Sequence, residues 1–237
     1  MPTAYHLYTI TTLPRGPRFG TEDQLYLTID GHESRENVHT TLNRNAEAFR
    51  NGVTRFKCKH DFLTKLRYPG RAKGMEFKQF VTPYEFPVYV LAETPAAKGP
   101  TFVVRTKANV AADCVKRLNH KLDDFKVVEK HLDFAKLRAL LGSIQGAWFR
   151  KMNVANLAAA GLFGPRVDKS EEFVHAEKHG SLHSLNATYP FKGADYFVTI
   201  TESGSLIVYD ALETEEEGVD VLCDIKTRLF DKCSDMG

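Results

Sequence analysis

The chain has 237 residues, 43% of them hydrophobic, which suffices for one large globular domain or two small ones. No apolar run approaches the roughly 18 residues that a membrane-spanning helix requires, and the N-terminus lacks the charged-then-apolar order of a signal peptide. These features exclude a helical membrane protein, so we expect a cytoplasmic protein with no membrane partner.

The four cysteines are widely scattered, and no two have the Cys-x-x-Cys spacing of a zinc or redox motif. Reduced thiols are the simplest interpretation of Cys58, Cys114, Cys223 and Cys233. We therefore predict no disulfide framework, no bound metal and no cofactor.

The near-neutral total charge of +2 conceals a gradient along the chain. Residues 1–160 contain 25 Lys and Arg against 15 Asp and Glu, a net of +10, whereas residues 161–237 contain 7 against 15, a net of −8. Such asymmetry suggests a polyanionic partner for the basic part. It also suits self-association in which the acidic end of one subunit meets the basic face of another, and charge alone leaves both interpretations open.

Hydrophobic periodicity and turn residues predict strands and helices in a mixed order. Segment 94–100, TPAAKGP, is the best candidate for a domain boundary. The predicted elements before it are strands at 5–12 and 24–29, a helix at 34–49 that stops at Asn51-Gly52, extended segments at 53–68 and 75–92, and a basic glycine-rich loop at 68–74. Those after it are a strand at 101–106, helices at 107–121, 123–141 and 153–165, a β-meander at 173–210 and a helix at about 215–231.

We predict an α+β fold with antiparallel-rich sheets, packed helices and a C-terminal β-meander followed by a helix. The chain would form an N-terminal α/β domain, 1–98, and a C-terminal helical and β-meander domain, 101–237, or one continuous domain. The acidic run Glu215–Glu217 begins the last helix, where negative charge stabilises the helix dipole, so it needs no binding partner to explain it.

The segment RFKCKHDFLTKLRY, 55–68, carries the strongest pattern. Alternate side chains of a strand point to opposite faces, so five of the seven odd positions place cations on one face while the other face is mostly apolar. Same-face residues lie about 6.6–6.8 Å apart, close to the phosphate spacing of an extended nucleic-acid strand. The alternative is a solvated outer face whose lysines prevent edge-to-edge aggregation.

If this face binds nucleic acid, it contacts mainly phosphate and has little sequence preference. Gly70 and Gly74 would let the loop backbone approach a phosphate closely. The candidate cations are Arg44, Arg50, Arg55, Lys57, Lys59, Lys65, Arg67, Arg71 and Lys73. The candidate stacking residues are Tyr68, Trp148 and Phe149, with Arg150 and Lys151 beside the last two, although a single tryptophan is more often part of a core.

Two patterns offer weaker alternatives for chemistry. Glu76-Phe77-Lys78, with Asp61 upstream and Glu47 before it, is the order of a metal-dependent nuclease core, in which carboxylates hold Mg²⁺ and a lysine assists water. His175, His179 and His183 have four-residue spacing, but the surrounding pattern predicts strands, on which these side chains need not converge.

The leading hypothesis is a non-catalytic nucleic-acid-binding protein that serves as a subunit of a larger assembly. A protein–protein or homo-oligomerisation module acting through opposed charges is the second hypothesis, and a Mg²⁺-dependent nuclease is the third. Nucleophile elbows, phosphate-binding Gly-Lys-Ser/Thr loops and dinucleotide fingerprints do not occur in the sequence.

Overall fold

The computed structural model describes residues 1–45, 49–93 and 99–234. The fold is mixed α+β and mostly antiparallel, which confirms the predicted class. Its strands are β1 Thr3–Thr12, β2 Arg18–Ile29, β3 His32–Arg44, β4 Val53–Ala72, β5 Met75–Leu91, β6 Thr101–Val104, β7 Lys126–Glu129, β8 Ile144–Val154, β9 Leu157–Phe163, β10 Ser181–Phe191, β11 Ala194–Thr201 and β12 Ser205–Val208. Its helices are α1 Ala108–Lys121, α2 Phe134–Leu140, α3 Glu171–His179, α4 Glu215–Ile225 and α5 Asp231–Cys233.

The chain divides into two compact units of opposite charge. The basic unit, 10–92 and 102–128, has 19 Lys and Arg against 12 Asp and Glu, a net of +7. The acidic unit, 1–9, 93–101 and 129–237, has 13 against 18, a net of −5. The predicted boundary segment lies mostly outside the described residues, and the division into 1–98 and 101–237 stays a prediction.

The basic unit contains two long β-hairpins, β2–β3 and β4–β5, in the strand order β2-β3-β4-β5-β6. Each hairpin ends in a two-residue turn, Asp30-Gly31 or Lys73-Gly74, whose residues all have positive φ. Such turns match the right-handed twist of the flanking strands. Helix α1 packs against β2, β3 and β4 and buries Val110, Cys114 and Leu118, so one face of these strands belongs to the core.

The helix predicted over 34–49 is wrong, because most of that segment forms β3. β3 pairs with β2 in continuous register from His32 to Asn43. The apolar spacing of Val38 and Leu42 fits both structures, since residues four apart share a face in a helix and in a strand. Thr40, which is buried between them, follows the period of two.

The acidic unit has the strand order β1-β12-β11-β10-β8-β9, with β1 contributing its residues up to Thr9. Strands β10, β11 and β12 form an antiparallel meander that precedes α4, as predicted. A π-helical turn, Lys226–Phe230, joins α4 to α5. None of the described helices combines the length and the apolar composition that crossing a bilayer requires.

Three further predictions of secondary structure are wrong. Residues 123–141 form β7 and α2 instead of one helix, because the Asp133 side chain caps α2 by accepting from the N–H groups of Ala135 and Lys136. Residues 157–163 form β9 on the edge of β8 instead of a helix. The first part of the predicted meander forms α3, which the Ser170 hydroxyl caps.

Candidate functional site

Three arginines of the basic unit line one open pocket, which we call the arginine pocket. Arg44 lies at the end of β3, Arg50 lies in the tight turn before β4, and Arg55 lies on β4. The pocket has a volume of about 820 Å³, and none of the described residues that line it is acidic. Among these described lining residues, the charged side chains are therefore all positive.

Main-chain hydrogen bonds hold the backbone around these arginines. The Asn51-Gly52 pair forms a tight turn into β4 rather than the predicted helix stop, and Gly52 adopts a φ of +75° that other residues rarely adopt. The bonds join the N–H of Arg44 to the Pro17 carbonyl (2.7 Å), the N–H of Asn45 to the Arg55 carbonyl (3.0 Å), and the N–H of Val53 to the Arg50 carbonyl (3.1 Å). These bonds hold the backbone of each arginine next to the pocket.

Phe49 connects the pocket to the core of the basic unit. Its ring centroid lies 5.8 Å from that of the fully buried Tyr89. The guanidinium carbon of Arg55 lies 5.9 Å from the Phe49 ring centroid, a cation–π contact that orients the guanidinium group. Because a guanidinium forms paired hydrogen bonds with phosphate oxygens, the pocket presents groups suited to a phosphate ligand.

The predicted alternation of side chains along β4 is confirmed. Phe56, Cys58 and His60 are buried, and the odd-numbered cations lie on the opposite face of the strand. We call these odd-numbered cations the cationic stripe. Its members are the half-buried Arg55 and the exposed Lys57, Lys59, Lys65 and Arg67.

Glu85 on β5 partly neutralises the cationic stripe. It lies opposite Lys59 in the β4–β5 register, and its Oε1 lies 2.6 Å from Nζ of Lys57 and its Oε2 3.9 Å from Nζ of Lys59. The hydrogen bond from Lys57 holds the pKa of Glu85 below its ordinary value. Both lysines therefore have an intramolecular partner that a polyanion would have to displace.

The predicted glycine-rich loop is the tip of the β4–β5 hairpin, where Lys73 and Gly74 form the turn. Gly74 has open space around it, so its backbone is accessible to a ligand. Gly70 is covered instead, because a side chain there would meet the Phe77 ring at 2.9 Å. The Gly70 position therefore serves the packing of Phe77 and not the approach of a phosphate. Arg71, in the same tip, lies 3.9 Å from Glu76.

The structure does not bring Asp61 together with Glu76 and Lys78. The β5 partner of Asp61 is seven residues from Glu76, which corresponds to about 23 Å along a strand. Two carboxylates that share one Mg²⁺ must both reach it at about 2.1 Å. The Asp61 carboxylate instead accepts a hydrogen bond from the N–H of His39 at 2.8 Å. Glu47 lies outside the described residues.

Two of the three regularly spaced histidines meet. His175 and His179 lie on α3 with ring centroids 4.6 Å apart, whereas His183 lies on β10. Burial lowers the pKa of His183, and Arg150 acts in the same direction. Within the described residues, no group of three or more His, Cys, Asp and Glu side chains is placed to hold a metal ion.

The three candidate stacking residues differ in accessibility. Phe149 is fully buried and packs against Phe173 with ring centroids 5.2 Å apart, so the prediction that it stacks on bases is wrong. Trp148 on β8 is 43% exposed, with Arg150 and Lys151 exposed beyond it. Tyr68 is 72% exposed, and the guanidinium of Arg67 lies 5.5 Å from its ring centroid.

A polar cluster around the buried His60, which no sequence pattern predicted, joins β3 and β4 to α1. His60 Nδ1 lies 2.8 Å from Thr40 Oγ1, and its Nε2 lies 3.1 Å from Asp113 Oδ2 without in-line hydrogen-bond geometry. The contact with His60, together with the charge of Arg117, which donates to the same carboxylate at 3.0 Å, holds the pKa of Asp113 below its ordinary value. The available signals were a histidine on the apolar face of β4 and the i,i+4 spacing of Asp113 and Arg117. The cluster fixes the inner face of β4, and hence the outward direction of the cationic stripe.

No protein-family model and no curated protein matches this chain. Function must therefore be inferred from the chain's own residues.

Proposed function

We propose that the protein binds nucleic acid through phosphate contacts, with little sequence specificity, as a non-catalytic subunit of a larger assembly. The observation that supports this most directly is the arginine pocket, where Arg44, Arg50 and Arg55 surround an open concavity with no acidic residue among its described lining. Forked guanidinium donors recognise phosphate regardless of the base attached to it.

The surroundings of the pocket extend the same chemistry. Arg55 belongs to both the pocket and the cationic stripe, so a strand held at the pocket could continue along β4 past Lys57 and Lys59. Lys65 and Arg67, further along β4, supply cations nearer the hairpin tip, and the exposed Tyr68 ring beside them could stack on a base. The net charge of +7 on the basic unit favours the approach of a polyanion.

The test measures binding of unrelated DNA and RNA oligonucleotides, single-stranded and duplex, across a salt series. With about five phosphate contacts, the plot of log K against log salt has a slope of about −3.5 for single strands and about −4.5 for duplexes. Changing Arg44, Arg50 and Arg55 together to Gln makes the slope shallower by two to three units, since each phosphate contact contributes about one. Absence of binding at low salt, or binding that does not respond to salt, contradicts the proposal.

A matched control carries the same change in net charge. Lys169, Lys178 and Lys232 are exposed residues of the acidic unit, and their joint replacement by Gln also removes three positive charges. The salt slope and the affinity of this control variant stay close to those of the unchanged protein if the arginine pocket is the binding site. Equal losses in the two variants would show that only net charge matters.

The segregation of charge favours a second candidate, self-association through opposed charges. The two units carry net charges of +7 and −5, so the acidic unit of one copy could attract the basic unit of another. Light scattering distinguishes this candidate, because assemblies held by exposed charges dissociate as salt shortens the screening length. A monomer at every ionic strength contradicts it.

A further inference from the structure

Strand β9 leaves one edge of the acidic unit open and uncharged. It pairs with β8 on one side and has no second neighbour among the described strands. Natural edge strands usually carry a proline or a charged residue, most often lysine, that prevents pairing with a second chain. Residues 154–163, VANLAAAGLF, contain no charged residue and no proline. This edge therefore lacks the usual protection.

The hydrogen-bonding direction along β9 follows from its register. The N–H of Gly164 donates to the Gln145 carbonyl, next to β8, at 3.1 Å. Along an antiparallel ladder, hydrogen-bonded residue pairs alternate with pairs that are not hydrogen-bonded. The main-chain groups of Leu162 and Ala160 therefore also face β8. The main-chain groups of the alternating residues Ala159, Gly161 and Phe163 point away from β8, toward the open edge.

The side chains of Ala159 and Phe163 lie on the exposed face of the sheet, and Gly161 lies between them without a side chain. Phe163 is 62% exposed, and its ring centroid lies 5.5 Å from that of Trp148. Trp148 lies over Gly161, where an added side chain would meet the indole at 2.9 Å. Ala159, two residues further along, has a small exposed side chain. The open edge thus has a large residue and a small one on either side of a glycine.

We propose that β9 pairs antiparallel with β9 of a second copy of this chain, about a two-fold axis at Gly161. In that register Phe163 of each copy lies opposite Ala159 of the other, so a large side chain meets a small one on both sides of the axis. Gly161 faces its own counterpart, and no like charges meet. The three residues with outward main-chain groups form about six hydrogen bonds between the strands. A two-fold contact of this kind closes on itself and gives a dimer rather than a fibre.

The first test is the oligomeric state of the full-length protein by sedimentation over a wide concentration range. Ala159→Glu raises the dissociation constant at least about tenfold, because the two-fold axis places the buried charge in the interface twice. Val174→Glu, at an exposed position of α3, is the control and leaves the constant unchanged. A monomer at all concentrations, or a dimer that Ala159→Glu does not weaken, overturns the proposal.

The second test concerns the register and does not depend on loss of binding. Phe163→Lys alone also weakens the dimer, whereas combining it with Ala159→Glu places a lysine opposite a glutamate on both sides of the axis and restores dimerisation. The two positions are four residues apart, about 13 Å along one strand, so they do not pair within a copy. Circular dichroism confirms that each variant is folded. Failure of the double variant to dimerise better than either single variant overturns the register.

The chain's single tryptophan gives a third readout at the interface itself. Trp148 lies over Gly161, so acrylamide quenches its fluorescence less in the dimer than in the monomer. If the dimer forms but the quenching of Trp148 does not change, the dimer uses another surface. If the dimer dissociates at high salt, exposed charges hold it together. Either result contradicts pairing through β9.

Discussion

The carboxylate of Glu85 lies 2.6 Å from the ammonium of Lys57 across the β4–β5 ladder. The basic surface predicted from the sequence is therefore partly satisfied within the molecule. Because both partners are about half exposed, solvent screens this ion pair and a ligand phosphate can compete for the lysine.

Glu85→Gln releases Lys57 and Lys59, so we expect nucleic-acid affinity at low salt to rise several-fold and the salt slope to steepen by about one unit. Glu216→Gln, at an exposed position of the acidic unit, changes net charge equally and serves as the control. Fluorescence anisotropy with a labelled oligonucleotide measures both variants. If affinity does not change in Glu85→Gln, the stripe takes no part in binding.

Asp231 shares its two oxygens between two buried lysines, with Oδ1 2.8 Å from Nζ of Lys130 and Oδ2 2.8 Å from Nζ of Lys226. Asp231→Asn leaves both ammonium groups buried without a counter-charge, so we expect a loss of about 3–5 kcal/mol in the free energy of unfolding. Urea denaturation measures this loss.

Lys130→Met is the comparison for Asp231→Asn. It leaves Asp231 and Lys226 as a one-to-one pair and removes a lysine whose pKa burial lowers, so we expect a change of only about 1 kcal/mol in either direction. If Lys130→Met destabilises the protein as much as Asp231→Asn does, the shared carboxylate is not the controlling group.

We expect stability in acid to depend in part on Asp113. The folded-state pKa of Asp113 lies below the ordinary value, mainly through the contact with His60. Its ionised form therefore stabilises the folded state at every pH above the ordinary pKa. This contribution disappears as pH falls through the folded-state pKa. Asp113→Asn should therefore flatten the loss of stability between about pH 5 and about pH 3.

The size of the Asp113 effect is below about 1 kcal/mol, because its side chain is 38% exposed and solvent screens the charge. Urea midpoints measured at several pH values test it, with Asp195→Asn at an exposed position as the control. If the urea midpoint of Asp113→Asn falls as steeply with decreasing pH as that of the unchanged protein, Asp113 does not contribute to acid stability.

The four thiols should differ in reactivity. Cys58, Cys114 and Cys233 are buried, whereas Cys223 is partly accessible. The contact with Cys114, at 3.8 Å between sulfurs, and burial raise the pKa of Cys58, and burial raises that of Cys233. We expect Cys223 to react first with a thiol reagent and the others only on unfolding. Mass spectrometry of the labelled peptides locates each site, and early labelling of Cys58 contradicts this order.

The alternation along β4 was predictable because it is a local property. Phe56 and Cys58 are apolar and their odd-numbered neighbours are cations, so the strand and its two faces follow from residues adjacent in the chain. The C-terminal meander and α4 were predictable for the same reason, since turn residues separate short β-branched runs and acidic residues begin the helix.

The segments that were predicted wrongly have patterns compatible with two structures. Val38 and Leu42 share a face in either a helix or a strand, and the alanines before Gly161 allow either. In both cases pairing with a neighbouring strand, β2 or β8, selected the extended form. Local propensity could not show this pairing, because it depends on residues brought together by the fold.

The sequence by itself determined the mixed α+β class, the run of candidate cations from Arg44 to Lys73, and the outward direction of the β4 cations. Only the tertiary structure placed Arg44, Arg50 and Arg55 around one pocket, Glu85 against Lys57, and β9 at an open edge. The physical reason is that period and charge act between neighbours in the chain. Pockets, ion pairs and sheet edges instead depend on strand register, which many distant contacts fix together.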